Sequence, residues 1–411
     1  MKFGILADFF EGAGAKYLTE VEINNARSNQ HEFQGVSAFR QFLGTPEEKI
    51  TYPATFFWLT DEEDEEPVSM QAFCTWSDVR RNNPDRSAEF HLYYAAESEA
   101  VVHQAQAGDL LLIARKKNDD GLLVILCPAD TTITQQLLWL FGLDLVGTRA
   151  SAKVLAPDES IRLGFAARAV LDTLGIDLEE PEPDALEILL DRYGLGFPPT
   201  AEFSQFARDT AEAADPVDDP DQALVDWMDH EEALFRHLER HIVADRLKKG
   251  FADKADVDVD GFLKFSLGVQ NRRKSRAGWA FGHHIEAVFH AHAIQHKREA
   301  TTEKRNGPDF LFPGEAEYHD ASFNTALLTM LGAKTSCKDR WRQVLAEAHK
   351  IEEKHLVTLQ PGISEAQTAE MQAERLQLVV PRPIYGSYLP AQQDWLMDVS
   401  GFVDLVKARQ G

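Results

Sequence analysis

The apolar positions fall into two regimes. From residue 1 to about 145, short runs rich in aromatic and β-branched residues recur at close intervals: "TYPATFFWL", "MQAFCTWSDV", "EFHLYY", "DLLLIAR" and "GLLVILC". Runs of this length, separated by polar turns such as "TDEEDEEP" and "KKNDDG", predict strands. Several in succession predict a small barrel or sandwich, and "TTITQQLLWLFGL" then reads as a helix. Residues 196–411 follow a different rhythm. "DQALVDWMDHEEALFRHLERHIVADRLKKGF" has helical apolar spacing and ends in Lys-Lys-Gly. "GWAFGHHIEAVFHAHAIQH" predicts another helix. "PDFLFP", "ALLTMLGAK" and "KHLVTLQ" predict strands, with the helix "RWRQVLAEAHKIEE" between the last two. Such alternation predicts an α/β domain around a central mixed sheet.

Between the two regimes the chain turns acidic and proline-bearing, as in "DLEEPEPDALEILLDRYGLGFPPT"; "DPVDDPD" at 215–221 is a second interruption. The expected organisation is a β-rich domain over 1–150, an acidic linker over 151–195 and the α/β domain over 196–411, with 215–221 a loop.

Composition narrows the class. The chain has 411 residues, 44% hydrophobic and 27% charged, as a soluble globular protein does. No apolar run reaches the length of a membrane span, and the N-terminus lacks the long apolar stretch of a signal peptide. Three cysteines far apart, Cys74, Cys127 and Cys337, fit a reducing cytoplasm better than a disulfide framework. The net charge of −25 argues against nucleic acid, so any DNA site must be locally basic on an acidic body.

Candidate chemistry starts at "GPDFLFPGEAEYHD". Asp309 opens a short apolar strand, where it is a turn-former or a ligand. Lys334 ends the next strand, and Glu347 lies in the segment read as the following helix. Two carboxylates and an ammonium suit metal-assisted phosphodiester hydrolysis: carboxylates hold Mg²⁺, and a lysine stabilises charge on the reacting phosphate. On spacing alone, the three also fit ordinary surface charges.

"PDFLFPG", "YHD", "AKTSCKDRWRQVLAEA" and "KHLVTLQPGIS", with "KKGF" and "NRRKSRAG" upstream, resemble the catalytic domain of EcoRII-type restriction endonucleases, members of the PD-(D/E)xK nuclease superfamily. The resemblance covers most of residues 196–380. It implies a restriction-endonuclease-like fold, Mg²⁺ held by Asp309 and Glu347, and a catalytic set of Asp309, Lys334 and Glu347 with Tyr318 close by. In the common superfamily pattern an acid stands two residues before the lysine. Here Gly332 stands there, and EcoRII-like enzymes move that carboxylate downstream, to Glu347. The resemblance also implies base reading by Lys338, Asp339 and Arg340, since Lys or Arg can donate to guanine and Asp can accept from cytosine. Arg272, Arg273 and Arg276 then form a phosphate clamp or part of a dimer surface. Related enzymes often support a second metal with a glutamate early in the next helix; this chain has Gly282 there and Glu286 one turn on, on the same face, so one metal and two both stay open, with Glu286 the substitute ligand in the second case.

EcoRII-type enzymes carry an N-terminal DNA-binding domain, a B3-like pseudobarrel that relieves autoinhibition when it binds a second site. "SNQHEFQG" and "RRNNPDRSAEFHLYY" resemble its contact arms, implying His31, Arg80, Arg81 and Arg86 as DNA contacts. The whole reading is a homodimeric type II restriction endonuclease acting on double-stranded DNA at a CC/GG-containing site. Two other readings stay open. One is a modification-dependent nuclease that reads modified cytosine between Phe73, Trp76 and Tyr93; the other is a DNA-binding protein that does not cut. His283, His284, His290, His292 and His296 crowd one helix. Only His292 and His296 have the i, i+4 spacing considered for zinc; without HExxH or a nearby cysteine, packed or surface histidines are expected.

Overall fold

The computed structural model describes residues 5–23, 31–60, 68–82, 85–117, 121–144, 149–157, 163–173, 176, 185–253, 256–303, 307–337 and 340–411. The N-terminal unit is built on one eight-stranded sheet: β1 Phe10–Tyr17, β2 Glu32–Phe33, β3 Ile50–Trp58, β4 Val68–Asp78, β5 Phe90–Tyr94, β6 Leu110–Lys116, β7 Leu122–Cys127 and β8 Ser151–Val154. The spatial order is β2-β5-β4-β3-β7-β6-β1-β8. Neighbours run antiparallel except β3 and β7. Three short helices, α1 Glu20–Ile23, α2 Arg40–Leu43 and α3 Glu99–Val102, lie in its connections, and α4 Thr132–Phe141 follows β7.

The central strands are apolar on both faces, with period two. Leu110, Leu112 and Ala114 of β6 join Leu123, Ile125 and Cys127 of β7 in one core, which α4 covers with Leu137, Leu140 and Phe141. Leu111, Ile113, Leu122, Val124 and Leu126 face a second core with Phe39, Phe42, Trp76, Phe90 and Leu92. Phe39 and Phe42 lie against β1 near one end of the sheet, while Trp76 and Phe90 come from β4 and β5 near the other. One sheet therefore curls round one core, with β2 and β8 left as edges. Gly14 makes the curl possible: a Cβ there would come within 2.4 Å of the Phe39 ring.

The segment expected as a linker holds elements of its own. β8 pairs with β1. Helix α5, Phe165–Thr173, packs Ala167, Val170 and Leu171 into the N-terminal core. Helix α6, Leu186–Tyr193, joins the next unit through Leu186 and Leu189. What can link is the short stretch between α5 and α6, most of it outside the described residues.

The C-terminal unit continues with α7 Thr200–Thr210, α8 Pro220–Lys249, a two-stranded ribbon of β9 Ala252–Asp253 and β10 Asp256–Val257, and α9 Val259–Ala291. The 215–221 interruption ends as the start of α8. Asp219 caps Gln222 N, Pro220 sits in the first turn, and the buried Asp221 carboxylate accepts from Arg382, Val399 and Ser400 backbone N–H groups. A five-stranded mixed sheet follows in the order β11-β12-β13-β14-β15. Its strands are β11 Lys297–Arg298, β12 Phe310–Phe312, β13 Thr329–Lys334, β14 Lys354–Thr358 and β15 Leu376–Val379. The first three are antiparallel and the last three parallel. Helices α10 Glu315–His319, α11 Trp341–Leu345, α12 Glu365–Ala373, α13 Pro390–Gln393 and α14 Val399–Gln410 complete it. The expected α/β unit with a central mixed sheet is present. No helix among the described residues is long and apolar enough to cross a membrane.

Candidate active site

Asp309 stands one residue before β12, and Lys334 is the last residue of the adjacent β13. The antiparallel register sets Phe310 against Leu331, which brings the start of β12 to the C-terminal end of β13. There Asp309 Oδ2 accepts from Ala333 N at 2.6 Å and from Lys334 Nζ at 2.8 Å. Both side chains are partly exposed, so the pair lies open at the sheet end.

Gly332 shares the Lys334 face of β13, two residues away. A Cβ at Gly332 would approach Val344 of α11 to 2.9 Å. A carboxylate has no room there, because α11 packs directly on the strand. The same packing brings the turn after α11 to the lysine. Glu347 lies in that turn, two residues beyond the end of α11 rather than within a helix as the sequence suggested. Burial raises its carboxyl to about 7; Lys334 lowers it and Asp309 raises it. Glu347 Oε2 is buried and has no hydrogen-bond partner among the described residues. It is a hard oxygen donor held in reserve beside a second carboxylate, so Asp309 and Glu347 suit Mg²⁺.

Three residues missed in the sequence build this turn. Buried Lys354 donates through Nζ to the carbonyls of Glu347, Ala348 and Ile351. Burial pushes its ammonium below the ordinary lysine value. Glu303 accepts from Tyr318 Oη at 2.7 and 2.8 Å and from His349 N at 3.2 Å. Lys350 donates from its backbone to Tyr318 Oη at 3.2 Å and from Nζ to Tyr318 O at 2.6 Å. Tyr318, grouped by resemblance with the catalytic set, is 1% exposed, and its hydroxyl donates to Glu303 and accepts from Lys350 N. Burial first, then Glu303, raises its hydroxyl to about 12 against the opposing Lys350 bond. These bonds join Tyr318 to the turn that carries Glu347. Lys354 and Glu303 could not be found from spacing, since a strand-initial lysine and the "TEKRNG" loop read as solvent-facing.

The expected base-reading residues are divided. Arg340 is exposed at the start of α11, its N–H donating to Cys337 O at 2.7 Å. Lys338 and Asp339 lie outside the described residues.

"NRRKSRAG" does not precede a helix, as expected, but forms the middle of the 33-residue α9. Arg272 is exposed and stacks on Phe197 at 4.4 Å. Arg273 is paired with Glu239 at 2.6 Å. Arg276 is 7% exposed; it donates to Pro198 O and lies over Phe203 at 4.6 Å. A guanidinium so enclosed is a packing cation and leaves the phosphate-clamp set.

In the N-terminal unit, His31 lies 3.1 Å from Glu99, Arg80 is paired with Glu89, and Arg81 and Arg86 are exposed between β4 and β5. The aromatic trio expected for a base pocket does not converge. Trp76 is fully buried and donates to Gly44 O, whereas Phe73, an odd number of residues away on β4, is exposed on the opposite face.

Comparison with known proteins bears on the same segment. Residues 235–403 match the family model "EcoRII C terminal". This segment is similar to the C-terminal domain of EcoRII. The type II restriction enzyme EcoRII of Escherichia coli is 39% identical over 230 residues, 56% of this chain and 55% of that protein. The chain thus spans about half the length of this curated relative. Asp309, Lys334, Glu347 and Arg340 all fall within the matched segment. Among solved structures, metal-depleted Ecl18kI with uncleaved, modified DNA is similar at TM-score 0.44 and 16% identity, over 56% of this chain and 84% of that one. The restriction endonuclease PspGI bound to substrate DNA gives 0.41 and 15%, over 52% and 93%.

Proposed function

We propose that the protein is a Mg²⁺-dependent type II restriction endonuclease that hydrolyses duplex DNA at a CC/GG-containing site. The observation that carries this reading is the sheet-end cluster of Asp309, Lys334 and the buried Glu347, whose Oε2 has no partner among the described residues, set within the segment that matches the EcoRII C-terminal family model. Asp309 and Glu347 would hold the metal, which supplies polarisation of the phosphate and a more acidic bound water. Lys334 Nζ holds Asp309 in place and offers its remaining protons to a phosphate oxygen or the attacking water. Tyr318, Glu303 and Lys354 keep the Glu347 turn from moving. A palindromic site cut on both strands calls for two copies, and so for a homodimer. The test is digestion of unmodified plasmid with and without Mg²⁺, followed by sequencing of the cut ends. Discrete ends at CC/GG sites are expected; metal-independent or random cutting would sink the reading.

Arg340 supports the site preference. Exposed at the start of α11, beyond the strand that ends in Lys334, it can reach a base edge while the scissile phosphate sits at Asp309. The Arg340→Ala protein is expected to lose roughly 10–100-fold of its discrimination against C·G substitutions in the site. A panel of single-substituted oligonucleotides measures this, and an unchanged preference removes Arg340 from base reading.

The N-terminal unit, read as a B3-like effector-binding pseudobarrel, would restrain cleavage through its contact with the catalytic unit, and three contacts support this. Thr132 Oγ1 at the start of α4 accepts from Ser364 N at 3.3 Å. A Cβ at Gly362 would meet Gln135 Cβ at 3.1 Å, and Trp139 lies beside Gly386. This contact falls just beyond β14, whose Thr358 pairs with Lys334. Gln360, within the same segment, accepts from Cys337 N at 2.6 Å, three residues before Arg340. Gln135 Oε1 is buried at this contact without a partner among the described residues, a cost that separating the units would relieve. The Gln135→Trp protein, with the two units wedged apart, is expected to cut single-site DNA about tenfold faster; equal rates argue against restraint through this contact.

A further inference from the structure

The end of α9 carries a cluster outside the Asp309, Lys334 and Glu347 set. Glu286 and His290 are one turn apart on that helix. The chain then reverses through Ala293, which has φ 54°, with Ala293 N donating to His290 O and Ile294 N to Phe289 O, both at 3.0 Å. The reversal lays His296 back over the last helical turn. The His290 and His296 ring centroids are 5.1 Å apart, and His296 Nε2 is 3.7 Å from Glu286 Oε1. One ligating atom from each of Glu286, His290 and His296 falls within 4.8 Å of the others.

The hydrogen bonds around the three narrow what can occupy the space. His296 Nδ1 is 3.0 Å from the Ile294 carbonyl, a contact that places the proton on Nδ1. In the neutral ring Nε2 is then a bare lone pair, and it faces a carboxylate oxygen in surroundings where the His296 side chain is 6% exposed. Two lone-pair donors so placed repel unless a cation or a proton stands between them. Glu286 is oriented from its other side, since Oε2 accepts from Arg298 Nη1 at 2.8 Å. An imidazole that donates its far N–H to a backbone carbonyl, beside a carboxylate fixed by a second hydrogen bond, is the arrangement of ligands around a metal.

We propose that Glu286, His290 and His296 bind one first-row divalent cation of the zinc class, with water completing the coordination on the exposed His290 side. The donor set is N₂O, which zinc and cobalt accept and which Mg²⁺, selecting oxygen, does not. The site is separate from the cleavage centre. Lys297 pairs with Leu311 and Arg298 with Phe310, so His296 lies toward the Phe312 end of β12 and Asp309 at the other end. The ion cross-links the last turn of α9 to the segment that enters β11, the edge strand paired with β12 just after Asp309. The i, i+4 pair visible in the sequence is a different one. His292 is committed to Pro216 O at 2.9 Å and Lys407 Nζ at 2.8 Å, while the six-residue spacing of His290 and His296 becomes a ligand pair only once the helix ends between them.

The test uses untagged full-length protein, stripped with chelator and titrated with Co²⁺ as a spectroscopic substitute for zinc. One equivalent is expected to give the absorption of four-coordinate cobalt, zinc is expected to abolish it by displacement, and zinc is expected to raise the melting temperature. His290→Ala, at an exposed position whose loss leaves the metal-free melting temperature unchanged, is expected to lose roughly 10-fold or more in cobalt affinity. Asp309→Asn is expected to keep both affinity and spectrum. The proposal is overturned if Asp309→Asn and not His290→Ala removes the spectrum. It is equally overturned if wild type shows neither a cobalt spectrum nor a zinc-dependent melting shift, in which case His296 and Glu286 share only a proton.

Discussion

The Asp309→Asn and Lys334→Ala proteins are expected to bind duplex DNA and to cut it about 10³-fold more slowly than wild type. Asparagine keeps the shape of Asp309 and can still accept from Ala333 N, so the strand end stays in place. It removes the charge that pairs with Lys334 Nζ at 2.8 Å and that would hold the metal. Lys334→Ala leaves the carboxylates without the cation that lies between strand and turn, and a phosphate oxygen without its donor. The side chains lie at the sheet end and are partly exposed, so neither change opens a core cavity, and melting temperatures should move little. Gel-shift titration in Ca²⁺ and single-turnover cleavage in Mg²⁺ separate binding from chemistry. Cleavage by either variant at the wild-type rate would overturn the assignment of the catalytic centre. Loss of binding in parallel with cleavage would move the two residues from chemistry to DNA contact.

Sequence pattern reached different depths in the two halves of this centre. The strands of Asp309 and Lys334 were visible because short apolar runs with turn signals at both ends have few alternatives. The place of Glu347 was not, because "RWRQVLAEAHKIEE" has good helix formers throughout, yet the helix stops at Leu345. Its next turn is instead tied down from outside by Lys354, Glu303 and Tyr318, contacts that local propensity does not see. Arg276 failed for a related reason. A basic run reads as a surface, but α9 is long enough to pass against Phe203 and Phe235, and its inward-facing arginine went with the packing. The acidic segment was read as a linker from its composition, whereas Leu163, Val170 and Leu186 within it each joined a core. The absent acid at Gly332 has a steric cause that only the packing of Val344 reveals.

Glu347 makes the centre respond to pH, and Glu347→Gln is expected to abolish cleavage to a similar degree while altering stability in a defined direction. The carboxyl has an ordinary value of 4.5 and sits at about 7 in the folded chain, chiefly through burial. A raised carboxyl favours the neutral form in the folded state. In metal-free protein the penalty for ionising it is absent below about pH 4.5, grows as pH rises to 7, and is complete above that. Glutamine carries no such penalty. In chelator at pH 8, Glu347→Gln should therefore be more stable than wild type by roughly 2 kcal/mol, after allowance for the part of the side chain that water reaches; at pH 4 the two should coincide. Metal reverses the order, because a cation bound to Glu347 displaces the proton and stabilises only the wild type. At limiting Mg²⁺ the wild-type cleavage rate should consequently fall about tenfold per pH unit below 7, and saturating Mg²⁺ should shift that fall to lower pH. Thermal melts in chelator at pH 4 and pH 8, with Mg²⁺ titrations of cleavage at pH 6 and pH 8, measure both effects. If the two proteins melt alike at pH 8 and Mg²⁺ demand does not change between pH 6 and 8, then Glu347 is ionised and solvated in the folded chain, and the buried unpartnered oxygen is not where the metal binds.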